Sequence, residues 1–125
     1  MYSYFLVMVG GAVGAALRFG LSRAVPVIAG AWPWATFAAN ILGSFLMGAL
    51  AFWLVRKGAQ GEQVRLLLGV GVLGGFTTFS AFSLEIAQIM ENGQLTMAFG
   101  YAITSVLVAL TALFAGMALA KAVWA

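Results

Sequence analysis

The chain has no cysteine and no histidine, and only 7% of its 125 residues carry a charge. Without cysteine there is no disulfide framework, thiolate metal site or thiol nucleophile. Without histidine the usual proton shuttle and the commonest metal ligand are missing too, so an enzyme is not expected. Soluble domains carry about 25% charged residues, and 64% hydrophobic content with so little charge reads as an integral membrane protein. A net charge of +3 is too small to suggest a nucleic-acid partner. The first stretch, MYSYFLVMVGGAVGAALRF, has no basic run ahead of its apolar core, so it reads as a retained span rather than a cleaved signal.

What is present divides cleanly. A membrane-crossing helix needs about 20 mostly apolar residues, and the charges cut the chain into four such pieces, at about 4–21, 34–55, 66–90 and 96–120. These predict an all-α, single transmembrane domain over residues 1–125. The connections agree: VPVIAGAWP carries two prolines and a glycine, RKGAQGEQVR is the one strongly polar stretch, and ENGQ is a turn around Asn92-Gly93. On the side of the termini lie Arg56, Lys57, Arg65 and Lys121, against Arg18 and Arg23 on the other. The positive-inside rule then favours cytoplasmic termini, although an excess of two encodes orientation weakly.

Helices in lipid gain no hydrophobic energy by touching, so small residues mark close contacts. Gly10-x-x-x-Gly14, Ser44-x-x-x-Gly48 and Gly71-x-x-x-Gly75 are three such steps, and ordinary helix packing accounts for each. Four slim helices enclose little, so association between subunits is expected. Polar groups inside the spans are costly and therefore informative. Asn40 has two amide donors to satisfy, with Thr36 one turn earlier on the same face. It either glues helices together or serves a ligand. In the fourth span Tyr101, Thr104, Ser105 and Thr111 place hydroxyls along one side. They either bond back to their own helix or offer donors to a dehydrating anion, a role for which a metal cation is ill suited.

The third span contains GGFTTFSAFS, residues 74–83. Two glycines followed by two threonines and a serine are poor helix material, which predicts a break from Gly74 to Thr78 near mid-membrane. Such a break is either a packing kink or lines a wet cavity, where carbonyls face cations and helix N-termini face anions. Beyond it, Phe79 and Phe82 share a face, as do Ser80 and Ser83. A phenyl ring is positive at its edge, so a pair of edges can meet an anion without trapping it.

Four blocks in order, GGAVGAALR (10–18), WPWATFAANILGSFLMG (32–48), GGFTTFSAFSLE (74–85) and YAITS (101–105), resemble the Fluc (CrcB) fluoride channels over nearly the whole chain. The resemblance implies an antiparallel, dual-topology homodimer in the inner or plasma membrane, with two fluoride pores at the subunit interface. Phe79 and Phe82 match pore-lining phenylalanines, and Asn40 matches an asparagine whose amide donates to fluoride. Gly74 and Thr77 match positions whose backbone carbonyls, two from each subunit, hold a structural Na⁺. Ser80, Ser83, Thr36, Tyr101 and Ser105 resemble polar-track or pore-wall positions. Arg18 resembles a vestibule arginine, with a snorkelling anchor as the alternative; Glu85 matches a glutamate beside the pore, an odd neighbour for an anion. The chain departs from the family pattern at Ala81, where a hydroxyl is common, and at Phe76, often leucine.

The function implied is passive fluoride movement down its gradient, relieving fluoride that enters as neutral HF. A proton-coupled small multidrug-type exporter is also a four-helix, dual-topology dimer. Its chemistry wants a carboxylate in the first span, and none is there. A purely structural subunit would leave Asn40 and the Phe pair without work.

Overall fold

A computed structural model describes residues 1–26 and 31–124. The expected loop VPVIAGAWP falls partly outside them, at 27–30. The described residues are almost entirely helical, without strands. Helix α1 (Tyr2–Ala24) is followed by α2 (Trp34–Lys57), which ends where Gly58 turns with φ +56°. A short 3₁₀ turn, Gly58–Gly61, leads into α3 (Glu62–Val64) and a π-helical stretch, Arg65–Leu73. Helix α4 (Gly74–Phe76) stops at an extended Thr77, with φ −84° and ψ 156°. After Phe79 the chain resumes as α5 (Ser80–Glu91), then α6 (Leu95–Trp124).

Three stretches are long and apolar enough to cross a membrane: Tyr2–Ala24, Trp34–Glu91 and Leu95–Trp124. The 58-residue middle stretch folds back on itself, since Gly61 meets Leu54, Gly69 meets Leu50 and Gly43 meets Thr77. The turn at Asn92-Gly93 appears as expected, with Gly93 at φ +80° and its N–H donating to Met90 O at 3.0 Å. The stretch RKGAQGEQVR is tighter than expected. Helix α2 includes Arg56 and Lys57, and helix resumes at Glu62, which pairs with Arg65 at 2.8 Å.

The small-residue steps do the packing. α1 runs beside the π stretch and α4 with backbone on backbone: a Cβ on Gly10 would clash with Leu67 O and lie 2.9 Å from Gly71 Cα. One on Gly14 would clash with Val72 O, and one on Gly75 would sit 2.7 Å from Gly11 O. On the far side α2 packs along α6, where Gly48 abuts Leu113 O and Gly116 abuts Phe45 O. The buried cluster of Phe82, Ile89, Ala98 and Tyr101, edged by Trp32 and Phe37, joins α5 and α6 to the start of α2. Much apolar surface stays open, including Phe5, Phe19, Phe99 and Phe114, as a chain surrounded by lipid or by another subunit permits.

Candidate functional site

The break does not begin at the glycines. Gly74 holds helical angles, φ −62° and ψ −39°, and departure from the helix falls at Thr77 to Phe79. The reason lies in neighbouring side chains. The glycines at 71 and 75 are needed bare so that α1 can approach, and a helix accommodates them. Farther on, Asn40 supplies what a continuing helix would otherwise supply. Its Oδ1 accepts the Thr78 N–H at 2.8 Å, and its Nδ2 donates to Thr78 O at 3.1 Å. This two-way pairing fixes the orientation of the amide.

The backbone around the break is rewired as a consequence. In an unbroken α-helix the Thr78 N–H closes on Gly74 O and the Ala81 N–H on Thr77 O. Here the first goes to Asn40, and the second goes to Thr78 Oγ1 at 3.1 Å, the bond by which a threonine caps a helix start. Thr77 Oγ1 donates back to Leu73 O at 3.0 Å. Orphaned backbone groups in apolar surroundings cost several kcal/mol each, so these side-chain bonds are what makes the break tenable.

Beside the break lies a pocket of about 460 Å³. Six of the sequence-predicted residues line it: Asn40, Gly74, Thr77, Phe79, Phe82 and Ser105. The Phe79 and Phe82 rings are 5.7 Å apart and inclined at 53°. Phe82 is buried and stands 5.2 Å from Tyr101, whereas Phe79 is 76% exposed. Ser105 is buried, and among the described residues its Oγ has no hydrogen-bond partner. A buried hydroxyl left unpaired at a pocket wall is a donor in want of an acceptor.

The remaining predicted residues lie elsewhere. Thr36 and Tyr101 do not face the pocket as free donors: Thr36 Oγ1 donates to Glu85 Oε2 at 2.9 Å and Tyr101 OH to Glu85 Oε1 at 3.2 Å. The stripe of Thr36 and Asn40 therefore serves two targets, one on α5 and one at the break. Ser80 and Ser83 are exposed outside the pocket wall, with Ser80 Oγ 3.4 Å from Thr78 Oγ1. The hydroxyl row on α6 also divides, since Thr111 bonds back to Leu107 O at 2.8 Å. Arg18 is partly buried against α4, its Nε donating to Gly75 O at 3.2 Å. Thr78, which lines the pocket and pairs with Asn40, is the residue of this site that sequence reasoning missed. Its spacing of three from Ala81, just before α5, is the capping signal that could have found it.

Comparison with known proteins places this arrangement. The family described as CrcB-like protein, Camphor Resistance (CrcB), matches residues 5–117. A protein of Novosphingobium aromaticivorans named Fluoride-specific ion channel FluC is 52% identical over 120 aligned positions, covering 94% of this chain and 94% of that one. Proteins of the same name from Phenylobacterium zucineum and Caulobacter vibrioides are 52% and 48% identical over 127 aligned positions, covering 100% of both partners. Similarity of this extent, spanning every element from α1 into α6, means that the chain belongs to the CrcB family.

Proposed function

We propose that the chain conducts fluoride passively across the inner or plasma membrane, as an antiparallel dimer of identical subunits with two pores at their interface. Each subunit crosses four times, by α1, by α2, by the composite segment from α3 to α5, and by α6. The observation that carries the reading is the pocket lined together by Asn40, Phe79, Phe82 and Ser105, whose hydroxyl has no hydrogen-bond partner among the described residues, in a chain whose relatives bear the name of a fluoride channel.

Asn40 keeps one amide hydrogen beyond the one given to Thr78 O. That hydrogen, the Ser105 hydroxyl and the ring edges replace the water a fluoride ion sheds on entry. None is a fixed charge, so the ion is held weakly enough to leave. Phe79, exposed in the single chain, completes a pore wall against the second copy. Thr36 and Tyr101 act through Glu85, whose two carboxylate oxygens they occupy. Ser80 and Ser83 extend the polar path beyond the pocket, and Arg18 draws anions towards it.

The resemblance also implies a structural Na⁺, and the chain's residues fit one. Gly74 and Thr77 present carbonyls whose helical N–H partners are engaged elsewhere, and oxygen ligands suit a hard cation. Two carbonyls per chain leave a cation underligated, so the site needs the second copy. When bound, the ion supplies a fixed positive charge that ties the two breaks together.

The test is efflux of fluoride from liposomes containing the purified protein, read with a fluoride electrode. Electrogenic flux that requires a potassium ionophore and ignores a pH gradient is expected. Flux that follows the pH gradient would instead favour the proton-coupled exporter. Because the chain has no cysteine, one introduced near a terminus reports orientation, and labelling from both faces of the membrane is expected of the antiparallel dimer.

A further inference from the structure

We propose that Asn40 and Thr78 are positioning residues for the cation site, beyond the part Asn40 plays in the pore. The inference rests on the reading that Gly74 and Thr77 carbonyls hold Na⁺. A carbonyl closed by a helical N–H has given its main acceptor direction to that bond, and these two are kept open by two specific diversions. Asn40 Oδ1 takes the Thr78 N–H at 2.8 Å, which otherwise closes on Gly74. Thr78 Oγ1 takes the Ala81 N–H at 3.1 Å, which otherwise closes on Thr77. The Asn40 Nδ2 bond to Thr78 O, at 3.1 Å, holds the amide in that orientation.

The backbone is set for this arrangement. Thr77 is extended, at ψ 156°, so the chain steps out of helix between the two carbonyls instead of coiling through them. One amide thus serves two ions of opposite sign: its oxygen frees a carbonyl for the cation, and Asn40 itself lines the pocket assigned to the anion, with one amide hydrogen left to give. With Asn40 truncated, the Thr78 N–H returns to Gly74 and competes directly with sodium. With the Thr78 hydroxyl removed, the Ala81 N–H returns to Thr77 and does the same.

The experiment is a sodium titration of the purified protein without fluoride. Sodium chloride replaces N-methylglucamine chloride at constant ionic strength, and melting is followed by fluorescence of the four tryptophans. The wild-type protein is expected to show a sodium-specific rise in melting temperature that sets in near the dissociation constant and then climbs with the logarithm of the sodium concentration. Asn40→Ala and Thr78→Val are each expected to raise that onset concentration about tenfold, as loss of a partner that orients a metal ligand does. Thr78→Ser, which keeps the capping hydroxyl, is expected to keep the onset. Should Asn40→Ala fail to fold, Thr78→Val carries the test, since it leaves the Asn40 pairing in place. A general loss of stability lowers every melting temperature without moving the sodium concentration at which the rise sets in, so an unchanged onset in the variants overturns the positioning role while leaving the cation site standing. A wild-type protein indifferent to sodium overturns the cation site itself, and this inference with it.

Discussion

The segment from the π stretch to α5 has two working sides built on opposite principles. Towards α1 it is bare: Gly71 and Gly75 let the helices meet at the main chain, and the contact is steric apart from the Arg18 Nε bond to Gly75 O at its edge. Towards α2 and α6 it is polar: Asn40 is bonded into the break, Ser105 has no hydrogen-bond partner among the described residues, and the chain leaves the helix for three residues. The contrast teaches that one element can be anchored where it needs only contact and opened where it needs chemistry. If it holds, damage to the first side destroys the fold, whereas removing groups of the second that hold no backbone of the break, such as the Phe82 ring and the Ser105 hydroxyl, spares the fold and changes transport.

The largest effect is expected on the bare side. Gly14→Val places a branched side chain against Val72 O, and any Cβ there lies 2.8 Å from Phe76 N. Backbone cannot yield as a flexible side chain can, so loss of the monodisperse protein by size-exclusion chromatography is expected. Gly20, also in α1, has open space where a Cβ would point, with nothing within 4 Å. Gly20→Ala is expected to fold normally and gain up to about 1 kcal/mol from helix propensity. Equal behaviour of the two variants would remove the steric account of this side.

On the polar side, Phe82→Ile is expected to abolish or strongly reduce fluoride efflux from liposomes while the size-exclusion profile of the protein stays that of the wild type. The aliphatic side chain still fills space near Tyr101 but has no ring edge to offer. Efflux at the wild-type rate would count against that role. Ser105→Ala follows with a smaller effect. It breaks no side-chain hydrogen bond among the described residues, so the melting temperature is expected to stay put. A hydrogen bond to an ion is worth about 1.5–3 kcal/mol, and flux is expected to fall about tenfold or more. A fall in stability without a fall in flux would make Ser105 a packing residue.

Much of this contrast can be read from the sequence, and what cannot has a physical reason. Hydropathy and charge place the helices because lipid demands long apolar runs, and small-xxx-small spacing locates the bare side because only a missing side chain allows that approach. Phe79, Phe82 and Asn40 are visible as costly or unusual choices within a span. The position of the break is not visible. Intrinsic propensity points to Gly74-Gly75, but tertiary contacts decide otherwise: α1 holds Gly75 in helix, and an amide 38 residues earlier in the chain captures Thr78. The partners of the hydroxyls are hidden for the same reason. Thr36 and Asn40 share a helix face, yet one bonds to Glu85 and the other to the break, because α5 and the residues before it present different groups to one stripe.

The smallest expected effect sharpens the contrast from within a single helix. Thr111 shares α6 with Ser105, but its hydroxyl is exposed and spent on Leu107 O at 2.8 Å, the self-bonding that membrane helices commonly use. Thr111→Val keeps the shape and removes only that bond, which duplicates an acceptor already used by the helix. Fluoride flux is expected to stay within about twofold of the wild-type rate, since surface changes away from such features are usually worth about ±0.5 kcal/mol. A loss as large as that of Ser105→Ala would mean that the hydroxyl row acts as a whole along α6. The polar side would then extend past the pocket, and the unpaired state of Ser105 would no longer distinguish it from its neighbours.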